Sequence, residues 1–398
     1  MPSDSTYDPP CVNLYDKTGC QATAHTEESL LRSVFGVTLS LALALSASVT
    51  AGASVRPAVM SAATAKSPAH VPAGTAAGVT RTQTHTVAAA QAGSRPFVLG
   101  YYLPGAGSLQ SLEGNYQDLS AIAPLWFGIH ADGSVQHRSG GSLSAIVNLS
   151  HSLGRKVFVL VTNMAQDRIL VNPTIRQTAV QNLVRTLVQS HVDGVNIDFE
   201  SIDGTDAQGL VDFVSAVHAQ LAPLGILTTV AVGPRAGGRL PLSDESDAYS
   251  YAALGRVSDY VVLMTYDQHS APGGAGPIAA MPWVRNVVNY AVSQIPPAKL
   301  LLGIAAYGYD WSQPGIPTVT ARQAISQIQA GGVHLGWSPS ALEPYYTSAS
   351  HDVWFEDSYS AAAKFRLVKS QHLGGIALWY LGAEDTGFWP TVQADLLQ

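Results

Sequence analysis

The stretch "VDGVNIDFES", residues 192–201, alternates apolar and polar side chains in a way that decides the fold. From Val195 onward every second residue is apolar, and the residues between them are Asn196, Asp198 and Glu200. Residues two apart in a β-strand share one face. The stretch therefore predicts a strand with one apolar face and one face that carries an amide and two carboxylates.

Strands and helices alternate on both sides of this stretch. The near-continuous apolar run "KVFVLVTN" (156–163) is typical of a strand that is covered on both faces. Six further strands are predicted at 96–103, 122–135, 226–234, 258–267, 299–311 and 373–382. Helical patterns fit between most of them, so the sequence calls for a parallel sheet with crossover helices.

Eight strand–helix units over about 300 residues favour a closed (β/α)8 TIM barrel over an open doubly wound α/β sheet. No glycine-rich dinucleotide or phosphate loop follows the first strand, which also disfavours the open sheet. The segment from about 312 to 356 is too long for a simple loop. It predicts a small α+β insertion after strand 7, walling one side of a cleft.

In such a barrel Ile197 and Phe199 face the covering helices, and the polar residues face the interior. Glu200 comes last, at the carboxyl end of the strand, where barrel enzymes keep their active sites. Burying two carboxylates this close together has a cost unless they are used or well hydrogen-bonded. A satisfied buried network is the alternative for an isolated pair. The third polar residue, Asn196, and the position at the strand end favour chemistry.

A carboxylate pair in a barrel indicates glycoside hydrolysis. Two acids on one strand face cannot easily flank a sugar ring. Glu200 is placed to protonate the leaving oxygen, whereas Asp198 is poorly placed to attack the opposite face of the ring. The nucleophile must then come from elsewhere, and the 2-acetamido carbonyl of the substrate is the economical candidate.

At this point the residues resemble a known family. "DGVNIDFE" (193–200) is similar to the signature D-G-x-D-x-D-x-E of glycoside hydrolase family 18, and further motifs resemble its strands six to eight at 262–267, 301–311 and 374–382. "YDQH", "GPIAAMPWV", "YGYDW" and "VWFED" resemble the branch of spore cortex-lytic and spore-germination N-acetylglucosaminidases. Those proteins typically carry LysM peptidoglycan-binding repeats before the barrel, and none is seen in this sequence.

The resemblance implies a role for each matching residue. Glu200 would be the general acid and later the base, and Asp198 would orient the acetamido group and stabilise an oxazolinium-like intermediate. Tyr266 would hydrogen-bond the acetamido carbonyl. The residues expected to bind the sugar are Trp379 as the floor of the subsite, with Met264, Asp267 and Tyr102 lining the same pocket.

Asn196 stands where most members of the family have Asp. Its amide cannot take up charge, although it can hydrogen-bond Asp198. One fewer buried anion should ease ionisation of Asp198 and should raise the pKa of Glu200 less. The spore-lytic branch also uses Asn here, so we interpret Asn196 as a pocket residue that tunes the site. Asp193 matches the first acid of the motif, but its strand parity favours a structural role.

Composition narrows the set of partners. The twelve histidines are scattered without paired-ligand spacing, so neither a metal nor a cofactor is expected. A net charge of −7 without a Lys/Arg cluster argues against nucleic acid and anionic membranes as partners. His269 is predicted either at the rim of the cleft or in an ordinary loop. The aromatic residues of the insertion either contact sugars or pack the insertion itself; they are Tyr345, Tyr346 and Trp354.

The segment before the barrel has a different amino-acid composition. Within residues 1–53, one arginine precedes an apolar run of about sixteen residues and then Ala51-Gly52-Ala53, the layout of a secretory signal peptide. This run is short for a transmembrane helix, so no stable membrane insertion is expected. Residues 54–94, rich in Ala, Thr and Pro, predict a flexible linker to the catalytic barrel at 95–398. Both cysteines precede the barrel.

The sequence thus predicts a monomeric, secreted glycosidase at the cell envelope or the spore coat and cortex. It would hydrolyse β-1,4 bonds at N-acetylglucosamine in peptidoglycan, above all spore cortex, by substrate-assisted retaining catalysis. Chitin is the alternative substrate. A non-catalytic glycan-binding barrel is the alternative function, which the presence of Glu200, Asp198 and Tyr266 disfavours.

Overall fold

The computed structural model describes residues 95–138, 141–164, 168–235, 247–270 and 273–398. The predicted signal peptide and linker, together with both cysteines, lie outside the described residues. In the described ranges no helix combines the length and the apolar character that crossing a membrane requires.

The strands form two sheets. In chain order they are β1 (Phe97–Tyr102), β2 (Ala121–Ile129), β3 (Val135–His137), β4 (Lys156–Asn163), β5 (Gly194–Asp198), β6 (Leu227–Val232), β7 (Tyr260–Leu263), β8 (Leu300–Ala305), β9 (Tyr307–Asp310), β10 (Thr318–Thr320), β11 (His334–Ser338), β12 (Glu343–Thr347), β13 (Asp352–Phe355) and β14 (Gly375–Trp379). Eight of them pair in parallel around a barrel in the order β1, β2, β4, β5, β6, β7, β8, β14. Because β1 pairs with both β2 and β14, the barrel is closed, which confirms the predicted fold.

Helices follow most barrel strands. They are α1 (Ala106–Asn115), α2 (Leu143–Ser152), α3 (Arg168–Val171), α4 (Pro173–Gln189), α5 (Ala207–Leu221), α6 (Tyr251–Arg256), α7 (Met281–Gln294), α8 (Ala321–Ala330), α9 (Ser358–Ser370) and α10 (Phe388–Thr391). α4 shows how the sequence sets such a helix. Asn172 caps it by accepting hydrogen bonds from the N–H groups of Thr174 and Ile175, and Pro173 occupies its first turn.

The two faces of β5 are used as predicted. Val195 and Ile197 are fully buried in the layer between barrel and helices. The ring of Phe199 lies 5.1 Å from that of Phe213 on α5. Asn196 and Asp198 therefore face the barrel interior, with Glu200 just beyond the carboxyl end of the strand.

The insertion forms the second sheet, whose antiparallel strand order is β10-β9-β13-β12-β11. The single strand predicted over 299–311 divides in two at Ala306. β8 pairs with β7 and β14 inside the barrel, whereas β9 pairs with β10 and β13. The chain changes partners here, so the second sheet begins at Tyr307, before the expected start near 312.

A small core holds this insertion together. Tyr346, Val353 and Phe355 are fully buried against Ala324 of α8. Of the two interpretations open for Tyr346, packing of the insertion is therefore the correct one.

Candidate active site

Asn196 lies at the centre of the polar interior. It is fully buried, and its side-chain Oδ1 accepts a hydrogen bond from Tyr101 Oη at 3.1 Å. Its Nδ2 donates to Thr229 Oγ1 on β6 at 2.7 Å. The oxygen and the nitrogen of the amide thus link β5 to β1 and β6, and these bonds fix the side chain directly below Asp198.

Asp198 ends β5 with 6% of its surface exposed. Its Cα is paired in register with that of Thr162 on β4. Glu200 follows two residues later and is exposed. Its backbone is held by Asn163, which accepts from Glu200 N at 3.0 Å and donates to Glu200 O at 2.7 Å. A buried carboxylate and an exposed one therefore sit at the mouth of the barrel, with the exposed one on a fixed backbone.

Tyr266 joins this pair from the segment after β7. Burial raises the pKa of its phenol well above the ordinary value, and the groups at Tyr101, Asp198, Asp267 and Glu200 raise it further. The phenol therefore keeps its proton and can act as a hydrogen-bond donor. The pKa of Tyr101 is also raised, first by burial and then by the charges of Asp198 and Glu200.

Gly303 on β8 makes room for the ring of Tyr266. A Cβ at position 303 would lie 2.9 Å from Tyr266 Cε1 and 2.4 Å from the carbonyl oxygen of Leu263. A side chain there would displace the phenol or the backbone, so the glycine is required by close approach.

The Asp267 side chain is held in place by two hydrogen bonds. Its φ of 59° lies in the left-handed region, and its Oδ1 accepts hydrogen bonds from Tyr307 Oη at 2.6 Å and Tyr309 Oη at 2.9 Å. Burial raises its pKa, and these two bonds lower it. Ser201, directly after Glu200, has a φ of 55°. Left-handed backbone in residues with a side chain is uncommon and concentrates at functional sites.

Trp379 ends β14 at the same mouth of the barrel and is partly buried. Its ring centroid lies 5.0 Å from that of Tyr101, with the two planes inclined at 65°. It also packs against a cluster that includes Tyr307 and Tyr309. Met264 lies just past the end of β7 and is partly exposed.

Tyr102 requires a correction. The sequence placed it in the pocket, but the structure packs it into the layer between the barrel and the helices. Burial raises its pKa, followed by the charge of Glu113 on α1, and neither Asp198 nor Glu200 contributes. Its neighbour Tyr101 faces the interior instead. Two adjacent tyrosines point to opposite faces of a strand, and the motif alone did not say which one faces inward.

Asn163 is a second residue that sequence reasoning missed. A signal for it was present, since Thr162 and Asn163 are polar residues at the carboxyl end of an otherwise apolar strand. The same feature identified Glu200.

The other polar and aromatic residues that the sequence analysis considered have neighbours of their own. Asp193 precedes β5, at the end opposite Glu200, where its Oδ2 accepts from Val157 N at 2.9 Å and lies 2.8 Å from His151 Nε2. His269 Nδ1 is 2.9 Å from the carbonyl oxygen of Pro277 within the loop after β7. The rings of Tyr345 and Trp354 stack at 4.7 Å and are partly exposed. Across the described ranges no cluster of three His, Cys, Asp or Glu side chains could hold a metal ion.

The arrangement can donate a proton from an exposed carboxyl and stabilise positive charge with a buried carboxylate beneath it. Comparison with known proteins points the same way. The sequence pattern of the family described as glycosyl hydrolases family 18 matches residues 129–384. A Bacillus subtilis protein described as the uncharacterized glycosylase YvbX is 26% identical over 322 residues, which are 76% of this chain and 92% of that protein.

Two solved structures share the fold over most of the barrel. A chitinase from Chromobacterium violaceum matches with a TM-score of 0.72 and 28% identity, over 76% of this chain and 99% of that one. The spore cortex-lytic enzyme SleL of Bacillus megaterium matches with a TM-score of 0.68 and 26% identity, over 76% of this chain and 74% of that one. The chain is thus similar both to a chitinase and to a cortex-lytic enzyme.

Proposed function

This chain belongs to family 18 of the glycosyl hydrolases, and on that premise we propose that it cleaves β-1,4 bonds at N-acetylglucosamine in peptidoglycan. The similarity to the cortex-lytic enzyme supports spore cortex as the particular form of peptidoglycan. Cleavage within the glycan chain is the proposed mode. The polysaccharide is the partner, and the protein acts as a monomer.

One observation carries the mechanism: an exposed Glu200 on a clamped backbone stands over the buried Asp198. Glu200 protonates the leaving oxygen and later deprotonates the attacking water. Asp198 orients the substrate's acetamido group, whose carbonyl oxygen attacks the anomeric carbon, and balances the positive charge that forms. The Tyr266 phenol, which keeps its proton, donates a hydrogen bond to that carbonyl oxygen.

The pocket residues complete this proposal. Trp379 presents an aromatic surface against which a sugar ring packs. Met264, just past the end of β7, and Asp267, which accepts hydrogen bonds from two tyrosine hydroxyls, are proposed to line the same pocket. Asn196 completes the predicted set from the layer beneath, where its amide is hydrogen-bonded to Tyr101 and Thr229.

A substrate-assisted route fits the carboxylates. The side chain of Asp198 lies beneath Glu200 on the same strand face, where it cannot reach the opposite side of the ring. Asp267 is the next carboxylate near Tyr266, and its Oδ1 is occupied by two phenol donors. The acetamido oxygen of the substrate is then the group that fits the nucleophile's role.

Chitin is the second candidate substrate, and the similarity to the chitinase of Chromobacterium violaceum favours it. In both polymers the sugar whose anomeric carbon takes part in the cleaved bond is N-acetylglucosamine. They differ in the neighbouring sugar, which in peptidoglycan carries a lactyl group. The test must therefore use both polymers.

The test compares the full chain with its Glu200→Gln and Glu113→Gln variants on purified spore cortex peptidoglycan and on chitin oligomers. Glu113 is an exposed glutamate on α1 and serves as the matched control. New reducing ends are counted, and the reducing sugar is identified by mass spectrometry. We expect the wild-type protein and Glu113→Gln to release N-acetylglucosamine ends from cortex, and Glu200→Gln to be at least about 100-fold slower.

Release by Glu200→Gln at the wild-type rate would contradict the assigned acid. Muramic reducing ends would contradict the assigned bond. Reaction with chitin alone would move the substrate to the second candidate, and binding of cortex without cleavage by the wild-type protein would favour a glycan-binding barrel.

We also propose that the protein is exported, because its substrate lies outside the cytoplasmic membrane. The apolar run within residues 1–53 and the Ala51-Gly52-Ala53 site support a cleaved signal peptide, and residues 54–94 support a linker. N-terminal sequencing of protein from the culture medium or the spore envelope should begin near Ser54. Recovery of the chain in the cytoplasm with residues 30–53 intact would overturn this proposal.

A further inference from the structure

Arg138 reaches the polar interior from the hairpin that β2 and β3 form. Its backbone N–H donates to the carbonyl oxygen of Trp126 at 2.8 Å, which continues the pairing of the two strands. Its guanidinium Nη1 donates to Thr162 Oγ1 at 2.7 Å. A Cβ on Gly128 would lie 2.4 Å from the side chain of Met164 and 3.0 Å from Arg138 Cδ, so the glycine leaves room for both side chains.

Thr162 is the residue beside Asp198. The two are paired in register on the parallel strands β4 and β5, and their side chains point to the same interior face. Neighbouring strands lie about 4.8 Å apart. A guanidinium that donates to Thr162 is therefore one side chain away from Asp198, near enough for the two charges to interact. Burial lowers the pKa of Arg138, and the charge of Asp198 raises it.

Asp198 needs such a cation. Its carboxylate is almost fully buried, and a buried anion is costly unless it is paired. Within the part of the chain that the structure describes, the other titratable groups seen to interact with it include the acid Glu200 and the phenols Tyr101 and Tyr266, and Asp198 raises the pKa of both phenols. None of these three carries positive charge. Asn196 below is neutral and is engaged by Tyr101 and by β6.

We propose that Arg138 is a positioning residue that keeps Asp198 ionised and, through Thr162, holds its carboxylate in one orientation. This role rests on the proposed glycosidase function, in which Asp198 acts as an anion. Where an acid at position 196 could share a proton with Asp198, this chain has a neutral amide there and supplies a cation from the neighbouring hairpin. Arg138 acts through Asp198 and is not itself a group that touches the reacting atoms.

The first test measures kcat against pH for the full-length wild-type protein, Arg138→Met, Arg138→Lys and Thr162→Val on the substrate that the wild-type protein cleaves. Removing the cation makes Asp198 harder to ionise, so its protonation begins at higher pH as the solution is acidified. We expect the acid limb of Arg138→Met to move up by about one pH unit. Arg138→Lys should restore part of the shift, and Thr162→Val should lower kcat with a smaller shift.

Arg366→Met is the matched control, since Arg366 is an exposed arginine on α9 that pairs with Asp395. It removes the same charge far from the site and should leave the pH profile unchanged. A lower kcat for Arg138→Met with an unmoved acid limb would overturn the proposal, because it would show a structural role only.

The second test does not depend on activity. Thermal unfolding of the full-length wild-type protein, Arg138→Met, Asp198→Asn and the double variant forms a double-mutant cycle at pH about 7, where the proposal has both groups charged. We expect Arg138→Met to lower the Tm by several degrees in the wild-type background and by much less in the Asp198→Asn background. Equal effects in both backgrounds would overturn the proposal. If the wild-type protein cleaves neither polymer, the proposed function fails, and the cycle still decides whether Arg138 and Asp198 form a pair.

Discussion

Asn196 uses both ends of its side-chain amide, one to accept from Tyr101 and one to donate to Thr229. An ionised carboxylate could accept the hydrogen bond from Tyr101, but it has no hydrogen to donate to Thr229. The hydroxyl of Thr229 already donates its proton to the carbonyl oxygen of Val195 at 3.0 Å. The polar partners at this fully buried position therefore select an amide, independently of any effect on Asp198.

Replacing Asn196 with Asp should destabilise the protein more at high pH than at low pH. The new carboxyl faces the Thr229 oxygen and Asp198, so it stays protonated and its folded pKa lies above the unfolded value of about 4. Stability relative to wild type is then lost as pH rises from that value through the folded pKa. We expect a loss of about 1–3 kcal/mol at neutral pH, because the folded protein must hold a proton that the unfolded chain releases, at about 1.4 kcal/mol for each unit of pKa displacement.

Calorimetry of both proteins across pH checks this prediction. The exposed Asn148→Asp change on α2 is the control, and it should leave the Tm difference from wild type nearly constant. A constant difference for Asn196→Asp as well would show that the new acid is ionised and accommodated.

At the scale of elements, buried charges link the insertion to the barrel. Glu343 on β12 accepts hydrogen bonds from the N–H groups of Ile278 and Ala279, at 2.6 and 3.0 Å, in the loop that follows Tyr266. Burial and then Glu356 raise the pKa of Glu343 to about 8, and Lys364 on α9 lowers it. The fully buried Lys364 and Glu356 form an ion pair. One lysine thus serves two carboxylates that come from the insertion.

Lys364→Met should be strongly destabilising, because it leaves Glu356 buried without its cation. Breaking a buried pair by removing one partner costs about 3–5 kcal/mol. Chemical denaturation of the variant measures the loss. Adding Glu356→Gln should recover part of it, since the uncompensated charge is then gone. Lys369→Met, an exposed change on the same helix, is the control. Equal stability of the Lys364 and Lys369 variants would refute the role of this pair.

At the scale of the whole molecule, the pattern of apolar residues along the sequence predicted more of the fold than of the site. The eight barrel strands were predictable because buried parallel strands are near-continuous apolar runs that alternate with helical patterns. The break between β8 and β9 was not, since "IAAYGY" (304–309) has no residue that forces a strand to end. The cis peptide bond between Trp379 and Tyr380 was not predictable either, because no proline follows Trp379.

Contacts distant in sequence were the other part that could not be predicted. Which of Tyr101 and Tyr102 faces inward depends on the register of β1 against its neighbours, and no local pattern states it. The bond from Arg138 to Thr162 joins residues 24 positions apart through a hairpin. Motif matching named Glu200, Asp198 and Tyr266 because those positions lie within contiguous signatures.

The buried carboxylates together predict how the stability of the whole protein varies with pH. Burial is the first cause that raises the pKa of each of four groups: Glu343 to about 8, Asp357 to about 6, and Asp267 and Asp385 above their ordinary values. Each holds its proton in the folded state at a pH where the unfolded chain has lost it. The unfolded state then binds fewer protons, so stability falls as pH rises from about 4–5 towards 8.

We expect the Tm of the full chain to fall by at least about 5 °C between pH 5 and pH 8, since each pKa unit of displacement corresponds to about 1.4 kcal/mol. Asp357→Asn isolates one contribution, because Asn caps a helix as well as Asp does and cannot titrate. Asp357 caps α9 by accepting from the N–H groups of Tyr359 and Ser360. The variant should have a flatter slope of Tm against pH up to about 6 and a higher Tm than wild type at pH 8.

Asp203→Asn provides the contrast. Asp203 is exposed, and hydrogen bonds from Thr205 lower its pKa, so it is ionised in both states throughout this range. Its replacement should leave the slope between pH about 5 and 8 unchanged. A wild-type Tm that rises over this range would mean that the buried carboxylates are ionised in the folded barrel and paired more strongly than their burial indicates. In that case Asp357→Asn would lower the Tm at pH 8, so the two measurements together separate the explanations.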